Sequence, residues 1–288
     1  MKKEIKKPGD RIEKYDARSD RHYILTVADN GLSYVKPCLA DGAKPILHLV
    51  WGNTKTGHNV MCYGHTIPAS CDHGCECYTE KDCYGCTGNY VQYPVNQLFL
   101  ADNLLYFITY GWEKMADDII SEIHRQHAEK FRWFTVGDVP SIDFVRMMVK
   151  VGMECPDCEF WGYTKKYLMV NHVIHHDFND DAESFHKYTG LIFSHWLNRD
   201  HVTYFPMLNP YNMPTSEFIP FGMESLADSM DHICPCSNLD VVEHCGNCST
   251  PCYRLKLGQS MALLEHSTKQ TKQRDKKIRK AHEMLLSK

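Results

Sequence analysis

Apolar residues recur along this chain with two periods. From Asn96 to Lys130, Leu98, Leu105, Ile108, Trp112, Met115, Ile119 and Ile123 return every three or four positions between charged residues, which predicts a helix. Shorter apolar runs predict strands at Pro45 to Trp51, Phe131 to Val136, Phe160 to Thr164, Leu191 to Trp196 and Val202 to Met207. Tyr23 to Val35 alternates as a hairpin or a pair of edge strands would. Ser141 stands where it can cap a helix carrying Phe144, Val145, Met148 and Val149 on one face. Asn209 to Pro220, rich in Pro and Asn, reads as a loop. Strand, helix, strand at this spacing implies a crossover connection and a parallel sheet.

The expected fold class is therefore α/β: a parallel sheet or partial (β/α) barrel, with a cysteine-rich metal-binding segment towards the C-terminus. The expected divisions are a charged, mobile N-terminal segment (1–22), an α/β domain (23–230) with a cysteine loop at 70–89, a cysteine-rich segment (231–266) and a basic tail (267–288). At 288 residues and 43% hydrophobic content the chain can bury a large core.

No run of about 18 apolar residues is present, so no membrane span is expected, and a cytoplasmic location is the expectation. That setting changes the reading of the 14 cysteines, because thiols kept reduced are metal ligands more often than disulfides. Cys71, Cys75, Cys77, Cys83 and Cys86 form one group, and Gly74, Gly85 and Gly88 allow the tight turns that bring thiols together. Cys234, Cys236, Cys245, Cys248 and Cys252 form a second group, sufficient for a closed site. Cys155 and Cys158 make a CxxC with no second pair nearby and read as structural, as do Cys38 and Cys62.

Thiolates suit iron–sulfur clusters and zinc. In the first group only Cys83 and Cys86 have zinc-knuckle spacing, and Cys75-x-Cys77 is too tight for one, which favours iron–sulfur; zinc stays as the alternative. The string CxxxCxxC does not occur. Asp138 ends the Phe131 strand, where α/β folds place ligand contacts, and can meet a cofactor or substrate amine. Lys165 ends the next strand on the same rim, so Asp138 and Lys165 are the candidate catalytic pair, with a plain ion pair as the ordinary reading. His172, His175 and His176 read as surface residues. No phosphate-binding loop, GxGxxG, GxSxG or HExxH is present, which leaves kinase, dinucleotide and hydrolase readings without support. The net charge is −4, with eight basic residues after Ser267; nucleic acid bound through that tail by a zinc-stabilised module is the less favoured alternative.

Six segments in order carry a resemblance: SCDHGCECYTEKDCYGCTGNYVQYP, FRWFTVGDV, FWGYTKKY, LIFSHW, NPYNMP and HCGNCSTPCYRLKLGQSMALLEH. Over roughly residues 40 to 266 the chain resembles the gene product 88 family of bacteriophage and mobile-element proteins. The family's layout is similar to a small radical S-adenosylmethionine barrel. The resemblance implies a [4Fe–4S] cluster on Cys83 and Cys86 with Cys71, Cys75 or Cys77, a second cysteine site at the end, Asp138 near the cofactor's amino group, and an electron donor as partner. The substrate stays unknown. The departure from the usual radical-enzyme spacing bears on cofactor cleavage more than on cluster binding.

Overall fold

The computed structural model describes residues 10–16, 21–27, 33–36, 44–53, 56–65, 94–196, 208–219, 223–237 and 243–264. Three strands, β1 (Arg11–Asp16), β2 (Arg21–Val27) and β3 (Ser33–Lys36), pair antiparallel in a sheet of their own. The alternation at Tyr23 to Val35 thus marked real strands, but β1 lies inside the segment expected to be mobile.

The main sheet has eight strands. β4 (Val50–Trp51) pairs antiparallel with β5 (Met61–Cys62). Every other pairing is parallel, through β6 (Lys130–Arg132), β7 (Glu159–Thr164), β8 (Leu191–Trp196), β9 (Thr215–Ile219), β11 (Ser260–Leu264) and β10 (His232–Ile233). The order across the sheet is β10-β11-β9-β8-β7-β6-β5-β4. The α/β, mostly parallel architecture expected from the sequence is the one observed. The cysteine-rich segment contributes β10 and β11 to this same sheet.

Helices cover one face. α1 (Pro94–Gln126) is broken at Gly111, where φ is 83°. α2 (Ile142–Glu154) starts at Ser141, whose hydroxyl accepts from the Phe144 amide as the sequence predicts. α3 (Tyr167–Phe178) and α4 (Ala182–Thr189) complete the layer. Side chains alternate across the pleat. Met61, Phe131, Phe160, Leu191 and Phe193 point into the helix-side core with Met115, Ile119, Phe144 and Met148. Cys62, Trp161, Tyr163 and Ile192 point to the other face.

Three sequence readings need correction. Pro45 to Trp51 is a strand only at Val50–Trp51, because the Asn103 side chain of α1 satisfies the backbone of His48 at both its amide (2.7 Å) and its carbonyl (2.9 Å). Asn209 to Pro220 is not loop throughout: Thr215–Ile219 is a strand pairing β8 on one side and β11 on the other. Phe131 to Val136 leaves the ladder early because Phe134 adopts φ 54°, although the Trp133 amide still bonds to the Trp161 carbonyl at 2.8 Å. Val202 to Met207 lies outside the described residues. No helix among the described residues is long and apolar enough to cross a membrane.

Candidate metal centre and strand-tip network

The face opposite the helices is covered by residues 232–237 and 243–264, whose regular structure is slight. Beyond β10 and β11 its described residues have only one-turn 3-10 stretches at Pro235–Ser237, Cys245–Asn247 and Cys252–Arg254. Backbone ladders therefore hold little of it. Hydrogen bonds from other elements reach it, and a group of thiols packs onto the sheet. Cys234 and Cys252 are buried with Cys62, Trp161, Ile192, Leu255 and Met261, and Cys236 and Cys245 pack against them.

The sulfurs are close to one another. The Cys236 thiol is hydrogen-bonded with those of Cys234 and Cys245, and these contacts, with burial, push it far above its ordinary range. Cys248 is raised by burial, with Cys234, Cys245 and Glu243 adding to the effect; the Thr250 amide donates to its sulfur and opposes it. Burial takes Cys252 to about 12, with Cys234, Cys245 and Cys248 adding to it. All five cysteines of the second sequence group thus share one site. As they stand, no group of three or more His, Cys, Asp or Glu among the described residues is arranged to hold a metal ion. The sulfur contacts run Cys234–Cys236–Cys245, a chain of hydrogen-bonded neighbours.

The sheet supplies the floor. Tyr163 of β7 donates its hydroxyl to Cys252 Sγ at 2.9 Å. Cys62 of β5 sits opposite Arg132 of β6. Burial raises its thiol to about 11, the nearby Arg132 cation lowers it and Cys245 raises it. No local motif marks Cys62, Arg132 and Tyr163 as neighbours of this group. The signal was the pleat, since each lies on the strand face that Trp161 and Ile192 share, but that face is known to be the cysteine side only once β10 and β11 have joined the sheet.

The His244–Cys248 turn docks at the other end. Lys130 Nζ and Asn59 Nδ2 both donate to the Gly246 carbonyl, at 2.8 and 3.3 Å. Gly246 leaves no room for a side chain: a Cβ there would come within 1.9 Å of Asn59 Oδ1. Lys130 also lies 5.6 Å from the centre of the Tyr253 ring.

A second polar network sits at the carboxyl ends of β5, β6 and β7, on the helix side. His65 is wholly buried; its Nε2–H donates to the Asp138 carbonyl (2.7 Å), which leaves Nδ1 to accept from the Tyr63 hydroxyl (2.9 Å). Burial lowers the imidazole to about 4. Gly137, at φ 93°, lets the chain pass the ring, since a Cβ there would lie 2.3 Å from His65 Cδ2.

The Asp138 carboxylate accepts from Thr164 Oγ1 (2.6 Å), the Val139 amide (2.7 Å) and the Lys165 amide (2.9 Å). Burial raises this carboxyl, and the three hydrogen bonds and the Lys166 charge oppose that rise. The structure therefore brings Asp138 and Lys165 together, as the parallel sheet requires, but through the Lys165 backbone amide; the cation that acts on Asp138 is Lys166. The chain leaves β5 through His65 into residues 66–93. Cys71, Cys75, Cys77, Cys83 and Cys86 lie there, outside the described residues, as do Cys38 and the basic tail.

The remaining candidates have ordinary settings. Cys155 and Cys158 are buried in the helix-side core, and burial raises both thiols. His175 and His176 are exposed on α3. An open cleft of about 340 Å³ lined by Trp51, His58, Asn59, His127 and Glu129 lies at the amino end of β6, away from Asp138.

No curated protein and no solved structure matches the chain. The model of a family described as Gene product 88 matches residues 43–181, just under half of the chain. That span takes in the first cysteine group, the FRWFTVGDV strand with Asp138 and the FWGYTKKY strand with Tyr163 and Lys165; the second cysteine group falls beyond it. Over residues 43–181 this chain is similar to Gene product 88, which supports the likeness read from its sequence.

Proposed function

We propose that the protein is a metal–thiolate protein whose Cys234, Cys236, Cys245, Cys248 and Cys252 hold an iron–sulfur cluster against the sheet. The observation that carries this is the gathering of five thiols on one side of the sheet, Cys234 and Cys252 buried and Cys236, Cys245 and Cys248 half-buried, in a segment whose described residues add little ladder beyond β10 and β11. Five neutral thiols contribute little cohesion to such a segment, whereas a bound metal centre cross-links its turns and supplies folding energy. Buried ionised thiolates would be costly alone. A metal's charge removes that cost; Arg132, which acts on Cys62 and Tyr163 beneath the thiols, and Lys130, bonded to the Gly246 carbonyl, are the cations on that face.

The donor set suits the group in chemistry, thiolate being the ligand such clusters take. Four of the five sulfurs suffice for a [4Fe–4S] cluster, the Thr250 amide makes an N–H···S bond to Cys248, and Trp161, Ile192 and Met261 keep water away. Zinc on the same four sulfurs is the alternative.

The reading extends to the loop after β5, where Cys83 and Cys86 with Cys71, Cys75 or Cys77 would hold a second [4Fe–4S] cluster. When bound there and reduced by an external donor, such a cluster supplies one electron to S-adenosylmethionine. In that enzyme Asp138 and Lys165 would lie at the strand tips beneath the cofactor. Their contribution would be to orient the rim, since three chain donors already engage the carboxylate, leaving about one of its four acceptor positions for an amine.

Anaerobic purification followed by iron, sulfide and zinc analysis, with absorption spectra before and after dithionite, tests the proposal. About four or eight irons per chain with matching sulfide and a bleachable band at about 400 nm are expected. Stoichiometric zinc without sulfide would overturn the cluster and leave a zinc-stabilised module, for which DNA titration with and without residues 267–288 at two salt concentrations is the next measurement.

A further inference from the structure

We infer that Tyr163 is a positioning residue of the second cysteine centre: its hydroxyl, donated to Cys252 Sγ at 2.9 Å, holds that sulfur against the sheet and sets how readily the centre is reduced. This rests on the metal–thiolate reading.

Three observations converge on it. Tyr163 points to the cysteine face of β7, beside Trp161 and in the cluster with Cys252 and Cys234. The 3-10 turn Cys252–Arg254 packs directly on β7, and the Leu255 amide closes it by donating to the Cys252 carbonyl, so the sulfur and the hydroxyl are carried by two fixed elements. The strand is held in place as well, since its next residue, Thr164, is tied to Asp138. A hydroxyl aimed at a sulfur from a rigid strand costs little reorganisation when charge changes there.

The consequence is electrostatic. A hydrogen bond to a thiolate ligand stabilises the more negative, reduced form of a cluster, and stabilises thiolate against loss of the metal. Removing one such bond is worth about tenfold in the equilibrium it biases.

The test is Tyr163→Phe in a Cys83→Ser, Cys86→Ser background, so that only the second centre is read, with Tyr167→Phe as control. Tyr167 donates its hydroxyl to the Ser194 carbonyl oxygen and packs on the helix side of the sheet, so the control loses a hydroxyl on the face opposite the second cysteine group. Tyr163→Phe should keep its iron and sulfide, yet show a reduced fraction at fixed potential about tenfold lower than the parent and the control. If the parent carries zinc instead, the same variant should release it to a chelator about tenfold faster.

An unchanged midpoint or release rate in a fully loaded Tyr163→Phe protein would overturn the inference and leave the metal centre standing. A parent with no metal would overturn both. Should the variant lose its metal altogether, resonance Raman of the parent in H₂O and D₂O decides: iron–sulfur stretches that shift on exchange of the hydroxyl proton support the bond, and stretches that do not shift overturn it.

Discussion

His65 Nε2 lies 2.7 Å from the carbonyl oxygen of Asp138, and through that bond the last described residue of the β5 end is tied to the tip of β6. Because the Asp138 carboxylate is in turn held by Thr164 and the Lys165 amide, three parallel strands are joined at their carboxyl ends by one buried polar chain. Such networks are stable only while every member is satisfied.

The first prediction concerns acid. His65 has a folded pKa of about 4, below the ordinary 6.5, because burial disfavours the imidazolium. The unfolded chain therefore binds the extra proton first, and stability present above about pH 6.5 is lost as pH falls towards 4, by up to about 3 kcal/mol. Asp138 acts oppositely: its raised carboxyl favours the fold below the ordinary carboxylate range, and that share is lost as pH rises through the folded value. Urea denaturation at pH 7 and pH 5 should show a smaller acid loss for His65→Gln than for the parent.

Thr164→Val removes the hydroxyl that donates to Asp138 while keeping volume. A buried carboxylate is then short of one donor, which costs about 1–3 kcal/mol. Chemical denaturation at neutral pH measures it, and a loss below about 0.5 kcal/mol would mean water replaces the hydroxyl.

Asn103→Ala cuts α1 away from two segments at once. The side chain bonds to both backbone groups of His48 and, at 2.7 Å, to the Gly64 carbonyl. Three partners lose their bonds, so a loss of about 2–4 kcal/mol is expected. Hydrogen exchange should locate it at the His48 amide.

Metal removal should loosen a specific region. Chelation, or Cys245→Ser, should lower bound metal and raise exchange across residues 232–264 more than across α2 and β7. Cys62→Ser should leave metal content unchanged, since Cys62 Sγ bonds to the Val60 carbonyl and the five other sulfurs suffice. Lost metal in Cys62→Ser would make it a sixth donor.

Local pattern identified α2 and its Ser141 cap, because a cap and an apolar face are encoded within a dozen residues. The same was true of β7 and β8. It missed β9, whose Thr-Ser-Glu start has no strand signal and is drawn into the ladder by β8 and β11 on either side. It overextended the strand before Trp51, since a helix side chain 55 residues away competes for that backbone.

The sequence by itself determined the α/β class, the parallel sheet and the two groups of thiols, since periodicity and clustering are properties of neighbours along the chain. The tertiary structure decided which face those thiols occupy and what they meet. Cys62, Arg132 and Tyr163 come from three strands up to 101 residues apart, and only the register Cys62↔Arg132↔Trp161, with β10 and β11 folded back into the same sheet, sets them beneath Cys252 and Cys245. A contact of that kind arises from pleat and pairing, which have no trace in local composition.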